Sequence, residues 1–132
     1  MNVEEKYTEL YQTLLKEHKE VFEKQDVEEL SKFMYLICKA DRIFLMGVGR
    51  EGISTRGFAM RLMHLGKETH WIWDDTTPGM HPGDLFIATN GSGAIGHITY
   101  VVEQAKKAGA TVAVVTGLSL IHISEPTRQE AI

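Results

Sequence analysis

The stretch FLMGVGREGIS, residues 44–54, runs from an apolar segment through a glycine loop into a helical pattern. Gly47-Val48-Gly49-Arg50-Glu51-Gly52 spells G-x-G-x-x-G. A glycine loop that ends a strand and opens a helix aims free backbone N–H groups and the helix dipole at one point, which makes an anion site. Those six residues alone do not separate a dinucleotide fingerprint from a glycine loop shaped for some other phosphate, so the surrounding chain has to.

Outward from this loop the pattern alternates. RIFLM (42–46) reads as a buried strand, EGISTRGFAMRLMHLG (51–66) as a helix stopped by Gly66, and THWIW (69–73) as a second strand. DDTTPGMHPGD (74–84) is a loop, LFIAT (85–89) a third strand, and NGSG (90–93) a second glycine loop. AIGHITYVVEQAKKAG (94–109) reads as a helix and TVAVVT (111–116) as a fourth strand. Alternation of this kind predicts an α/β fold, a three-layer sandwich with a parallel sheet in 2-1-3-4 order. In that order the loops after strands one and three border one crevice at the switch point. A dinucleotide fold needs only the first loop and an acid after strand two, which Asp74 and Asp75 supply. It does not call for the second loop with Asn90 and Ser92.

Two amphipathic helices occupy residues 1–40. Val3, Tyr7, Leu10, Tyr11, Leu14, Leu15, His18, Val21 and Phe22 form one stripe, with Asn2 as N-cap. Asp26, with Glu29 three residues on, opens the second helix, carrying Val27, Leu30, Phe33, Met34 and Ile37. These helices have to cover the sheet or pair with another subunit.

The 132 residues are one domain, 43% apolar and 24% charged, with net charge −4. No basic stripe points to nucleic acid. No apolar run approaches membrane-spanning length, and the acidic N-terminus is unlike a signal peptide. The single cysteine, Cys38, fits a reducing cytoplasm. His70, His81 and His97 lack ligand-like spacing, so no metal is expected.

The blocks GVGREGISTRGFAMRLMHLG, DDTTP, GDLFIATNGSG and AKKAGATVAVVTG, in that order from Ile43 to Gly117, resemble the sugar isomerase (SIS) domain family, closest to the 6-phospho-3-hexuloisomerases. The resemblance implies a phosphosugar bound between the two loops without metal or nucleotide cofactor, and interconversion of a 3-hexulose 6-phosphate with fructose 6-phosphate. It also implies a homo-oligomer, a dimer or tetramer. Carried onto this chain, Asn90, Gly91, Ser92 and Gly93 would hold the phosphate. Gly47, Gly49 and Arg50 would contribute from the first loop, and Thr76 and Thr77 would line the mouth. Arg50 is equally suited to an ion pair with Asp74, Asp75 or Glu51; for Ser92 and Asn90 the block match favours phosphate over a plain turn and N-cap; the alternative for Thr76 and Thr77 is the turn before Pro78. Enediol chemistry needs a base poised near neutral pH, for which His64 is the candidate. On its apolar helical face, beside Met60 and Met63, His64 serves equally as a core or interface residue.

Three departures stand out. Glu51 replaces the family's usual serine after the loop arginine, and Ala94 and Ile95 replace Glu and Thr of the phosphate loop. The tail LSLIHISEPTR (118–128) closely resembles an in-frame translation of a sequencing adapter. The expectation is an SIS domain over 1–117, incomplete at its C-terminus and lacking a family glutamate, with 118–132 a foreign tail. The alternative for the tail is an ordinary edge strand. The alternatives for function are a non-catalytic sugar-phosphate-binding module and a dinucleotide-binding domain.

Overall fold

A computed structural model describes residues 2–90, 96–116 and 121–124. Helix α1 (Val3–Glu23) is capped by Asn2, whose side chain accepts from the Glu5 N–H at 2.8 Å. Asp26 caps α2 (Val27–Lys39), accepting from the N–H groups of Glu28 and Glu29. The chain then enters β1 (Ile43–Met46), α3 (Gly49–His64) and β2 (Thr69–Trp71). It continues through β3 (Leu85–Asn90), α4 (Gly96–Lys107), β4 (Thr111–Thr116) and β5 (Ile121–Ser124).

The sheet order is β2-β1-β3-β4-β5. Its first four strands are parallel, in the expected 2-1-3-4 order, with Ile43 opposite both Thr69 and Leu85. β5 is the added element and runs antiparallel on β4, with Ala113 opposite Ile123. An alternating segment beside an open strand edge has this pairing available to it.

Strand periodicity splits the core between the two faces. Ile43, Leu45, Leu85 and Ile87 pack with Leu36 of α2 and with Ala59 and Leu62 of α3. Phe44, Met46, Phe86 and Ala88 point the other way, against Ile98 and Ala105 of α4. All four β1 side chains are therefore fully buried, which is why IFLM shows no polar alternation. Schellman-type bonds end both crossover helices: Gly66 N–H to Met63 O and Lys67 N–H to Leu62 O, then Gly109 N–H to Lys106 O and Ala110 N–H to Ala105 O. The Lys67 ammonium reaches the last carbonyls of α2, Cys38 O at 2.9 Å and Ala40 O at 3.1 Å.

At the amino ends of the strands Arg42 grips Asp84 in a fork, Nε to Oδ1 at 3.0 Å and Nη2 to Oδ2 at 2.6 Å. Arg42 also donates to Gly79 O, and Asp84 accepts from the His81 N–H at 2.7 Å. The hydrogen bond to Asp84 is the main reason the guanidinium pKa lies above its ordinary value. This cluster fixes the long connection between β2 and β3.

α1 buries none of its side chains. Tyr7, Leu10, Leu14, Leu15 and Phe22 are all more than half exposed. The stripe read from the sequence is real, and this single chain leaves it uncovered. Among the described residues no helix is long and apolar enough to cross a membrane.

Candidate functional site

Each glycine of the first loop has its own steric reason. A Cβ on Gly47 would stand 2.6 Å from Thr89 Oγ1 and 2.9 Å from the Gly52 Cα. A Cβ on Gly52 would meet the Gly47 carbonyl oxygen at 2.7 Å. The first and third glycines thus let α3 press against the end of β1. Gly49 takes φ +64°, the left-handed turn that starts the helix, and a Cβ there would meet nothing within 4 Å, so its surface is open. Behind the loop the hydroxyls of Thr55 and Thr89 lie 2.6 Å apart, and Thr55 Oγ1 donates to Glu51 O at 2.7 Å.

This glycine floor belongs to an open cleft of about 460 Å³ at the carboxyl ends of the strands, where α/β sheets collect ligands. The first loop and α3 line it with Gly47, Val48, Gly49, Gly52, Ile53 and Arg56, and Trp71, Trp73 and His97 complete the lining. Arg56 lies 5.7 Å over the Trp71 ring and pairs with Asp74 at 3.7 Å. His97, in the first turn of α4, meets Trp73 edge to face, with centroids 6.3 Å apart.

Asn90 ends β3 beside this cleft. It is 9% exposed, and among the described residues its Oδ1 has no hydrogen-bond partner. An orphaned buried acceptor costs about 1–3 kcal/mol unless something satisfies it, which marks the spot as prepared for a donor. Gly91, Ser92 and Gly93, and with them Ala94 and Ile95, lie outside the described residues.

The other expected site residues fall as follows. Gly47 and Gly49 line the cleft. Arg50 is exposed in the first turn of α3 and, among the described residues, makes no ion pair, since Asp74 is taken by Arg56. Thr76 is exposed in the turn. Thr77 spends its hydroxyl on that turn, donating to Trp71 O at 2.6 Å and Asp74 O at 2.9 Å.

His64 is not brought to the cleft. It sits in the last turn of α3, 15 residues after Gly49, or about 22 Å along the axis. Four residues later Glu68 O accepts from the Ile43 N–H at 2.9 Å, so this end of α3 lies at the amino end of β1. His64 is exposed there, beside half-exposed Met60 and Met63. The histidine that does face the cleft is His97. Its position just after the second glycine loop, in the turn that opens a helix, was the available signal. Among the described residues no group of three or more His, Cys, Asp or Glu is placed to hold a metal ion.

A glycine-floored cleft at the switch point of a parallel sheet defines an α/β protein of the kind that collects ligands at the carboxyl ends of its strands. Comparison with known proteins narrows the class. No protein-family model matches the chain. It is 41% identical over 93 residues to a 3-hexulose-6-phosphate isomerase of Mycobacterium gastri, covering 70% of this chain and 47% of that one. The isomerase of that name from Bacillus subtilis is 36% identical over 89 residues, covering 67% and 48%. Among solved structures, a hypothetical protein of Methanococcus jannaschii, for which a 3-hexulose-6-phosphate isomerase function is inferred, superposes with TM-score 0.64 and 35% identity over 72% of this chain and 55% of that one. Another hypothetical protein superposes with TM-score 0.78 and 30% identity, over 84% and 59%. The chain belongs to the SIS-like phosphosugar isomerase family. It spans about half the length of the curated relatives it matches.

Proposed function

We propose that the protein is a phosphosugar isomerase of the 6-phospho-3-hexuloisomerase type, interconverting 3-hexulose 6-phosphate and fructose 6-phosphate through an enediol. The observation that carries this reading is the glycine-floored cleft beside Asn90, in a chain whose relatives bear that name. The phosphate is assigned to residues 91–95, just before α4, held by Ser92, the Asn90 amide N–H and backbone N–H groups, with Arg50 at the rim; the Asn90 Oδ1 is left to accept from a sugar hydroxyl. A base removes the C2 proton, the enediol spans C2 and C3, and a proton returns at C3 while the O2 hydroxyl proton passes to O3. No electrons leave the substrate, so the reaction needs no redox cofactor.

In the same proposal His64, with Met60 and Met63, belongs to a contact between copies in a cytoplasmic homo-oligomer, and residues 118–132 are a foreign tail. An antiparallel β5 is compatible with either origin of the tail, because any alternating segment can occupy a vacant edge.

The second reading is a sugar-phosphate-binding module without catalysis. It is favoured by Ile95, which has no hydroxyl where the family's loop carries threonine. The test measures fructose 6-phosphate formation from 3-hexulose 6-phosphate, and binding of the same sugars, on this chain and on a version continued past Gly117 with genomic sequence. Turnover by either form supports the isomerase. Binding without turnover by both selects the module, and neither binding nor turnover removes both readings.

A further inference from the structure

Both tryptophans of the chain face one cleft, and nothing in the phosphate assignment uses them. Trp71 ends β2, Trp73 lies in the turn after it, and His97 approaches Trp73 from α4 across the opening. Trp73 is 50% exposed, so its indole face is not consumed by the core. Arg56 and Asp74 add a donor and an acceptor to the rim beside the Trp71 ring. Gly47 and Gly49 line the same cleft and bring no side chain into it.

A wall of aromatic faces edged by polar groups suits a ligand with the same alternation. A sugar carbon chain is such a ligand, since it shows C–H groups on one face and hydroxyls along its edges. Aromatic faces carry partial negative charge and attract C–H groups, while the imidazole, guanidinium and carboxylate exchange hydrogen bonds with hydroxyls. Trp71 also packs against the first core cluster, so Trp73 is the indole that the core does not account for, and an anion alone has no use for it.

We infer that Trp73 and His97 form a specificity subsite for the carbon chain of the sugar phosphate, separate from the loop that takes the phosphate. This rests on the sugar-phosphate reading above. His97 acts here by holding a hydroxyl, and Trp73 by stacking on the chain and positioning the imidazole. Binding measured at equilibrium keeps the claim independent of turnover.

Because both tryptophans lie in the cleft, fluorescence excited at the red edge, where the four tyrosines do not absorb, reports on this site. Titration with fructose 6-phosphate should shift the emission saturably, whereas inorganic phosphate should bind with little shift. By calorimetry, Trp73→Leu should weaken fructose 6-phosphate about tenfold and His97→Ala about fivefold. Both variants should leave inorganic phosphate within about twofold of the parent. Fructose 6-phosphate affinity within twofold of the parent in both variants overturns the subsite alone. Equal weakening of sugar phosphate and inorganic phosphate overturns it as well, because the wall would then only support the fold of the loop. If the parent binds NAD but not fructose 6-phosphate, both the subsite and the sugar-phosphate reading fall.

Discussion

The hydroxyls of Thr55 and Thr89 meet at 2.6 Å, joining α3 to β3 directly beneath Gly47. The glycine loop therefore rests on a hydrogen bond between two elements, and the space above that bond is too small for a methyl group. Gly47→Ala should cost about 1–3 kcal/mol through overpacking. Gly52→Ala should cost at least as much, because its Cβ would strike the Gly47 backbone carbonyl, which cannot swing aside as a hydroxyl can. Gly57→Ala, in the same helix with nothing within 4 Å, should instead stabilise by about 0.5–1 kcal/mol. Thermal or urea unfolding of the three variants checks the order, and a destabilised Gly57→Ala would contradict the packing described for α3.

The Arg42–Asp84 fork stands at the opposite pole. Asp84 is almost fully buried and accepts from both Arg42 and the His81 N–H. Arg42→Met leaves that carboxylate without its cation and should cost about 3 kcal/mol in denaturant unfolding. Affinity for phosphate should hold, since the fork lies at the amino ends of the strands and the cleft at their carboxyl ends.

Ser92→Asp should abolish binding of fructose 6-phosphate by calorimetry, because it places a carboxylate where the phosphate is assigned. Ser92→Ala should weaken it only about tenfold, leaving the backbone N–H groups in place. Unchanged affinity in the aspartate variant removes the phosphate from the start of α4.

Self-association is the expected fate of the uncovered α1 stripe. Sedimentation at micromolar protein should show a dimer or larger species. Leu14→Glu combined with Phe22→Glu should shift it to monomer while changing unfolding free energy by less than about 0.5 kcal/mol in the monomer, since neither side chain is buried within the chain. A parent that sediments as a clean monomer refutes the contact.

Periodicity made the first four strands, the four helices and their order legible, because every one carries either a continuous apolar run or a helical stripe. It overran at β2. The apolar run continues to Trp73, yet the strand stops at Trp71, whose carbonyl is taken by the Asp74 N–H and the Thr77 hydroxyl. A cap supplied from six residues downstream leaves no trace in the alternation. The glycine floor was legible as a motif, whereas the aromatic wall was not, since Trp71 and Trp73 read simply as strand residues. His64 shows a different limit. Its apolar stripe fixes the side of the helix on which it lies, but only the rise along α3 shows at which end of the sheet it emerges.

Among the described residues, α4 is the only helix in the second core cluster. Its inner side, Ile98 and Ala105, closes over Phe44, Met46, Phe86 and Ala88, and its first turn supplies His97 to the cleft. Loss of that one helix would wet half of the hydrophobic interior and dismantle the cleft rim together, so ligand occupancy and solvent exclusion are thermodynamically linked. Ligand at a hundred times its Kd holds the folded state by a further ~2.7 kcal/mol, felt most in the core beneath α4. Amide exchange along Phe44–Met46 and Phe86–Ala88 then becomes a gauge of what occupies a cleft those residues do not line.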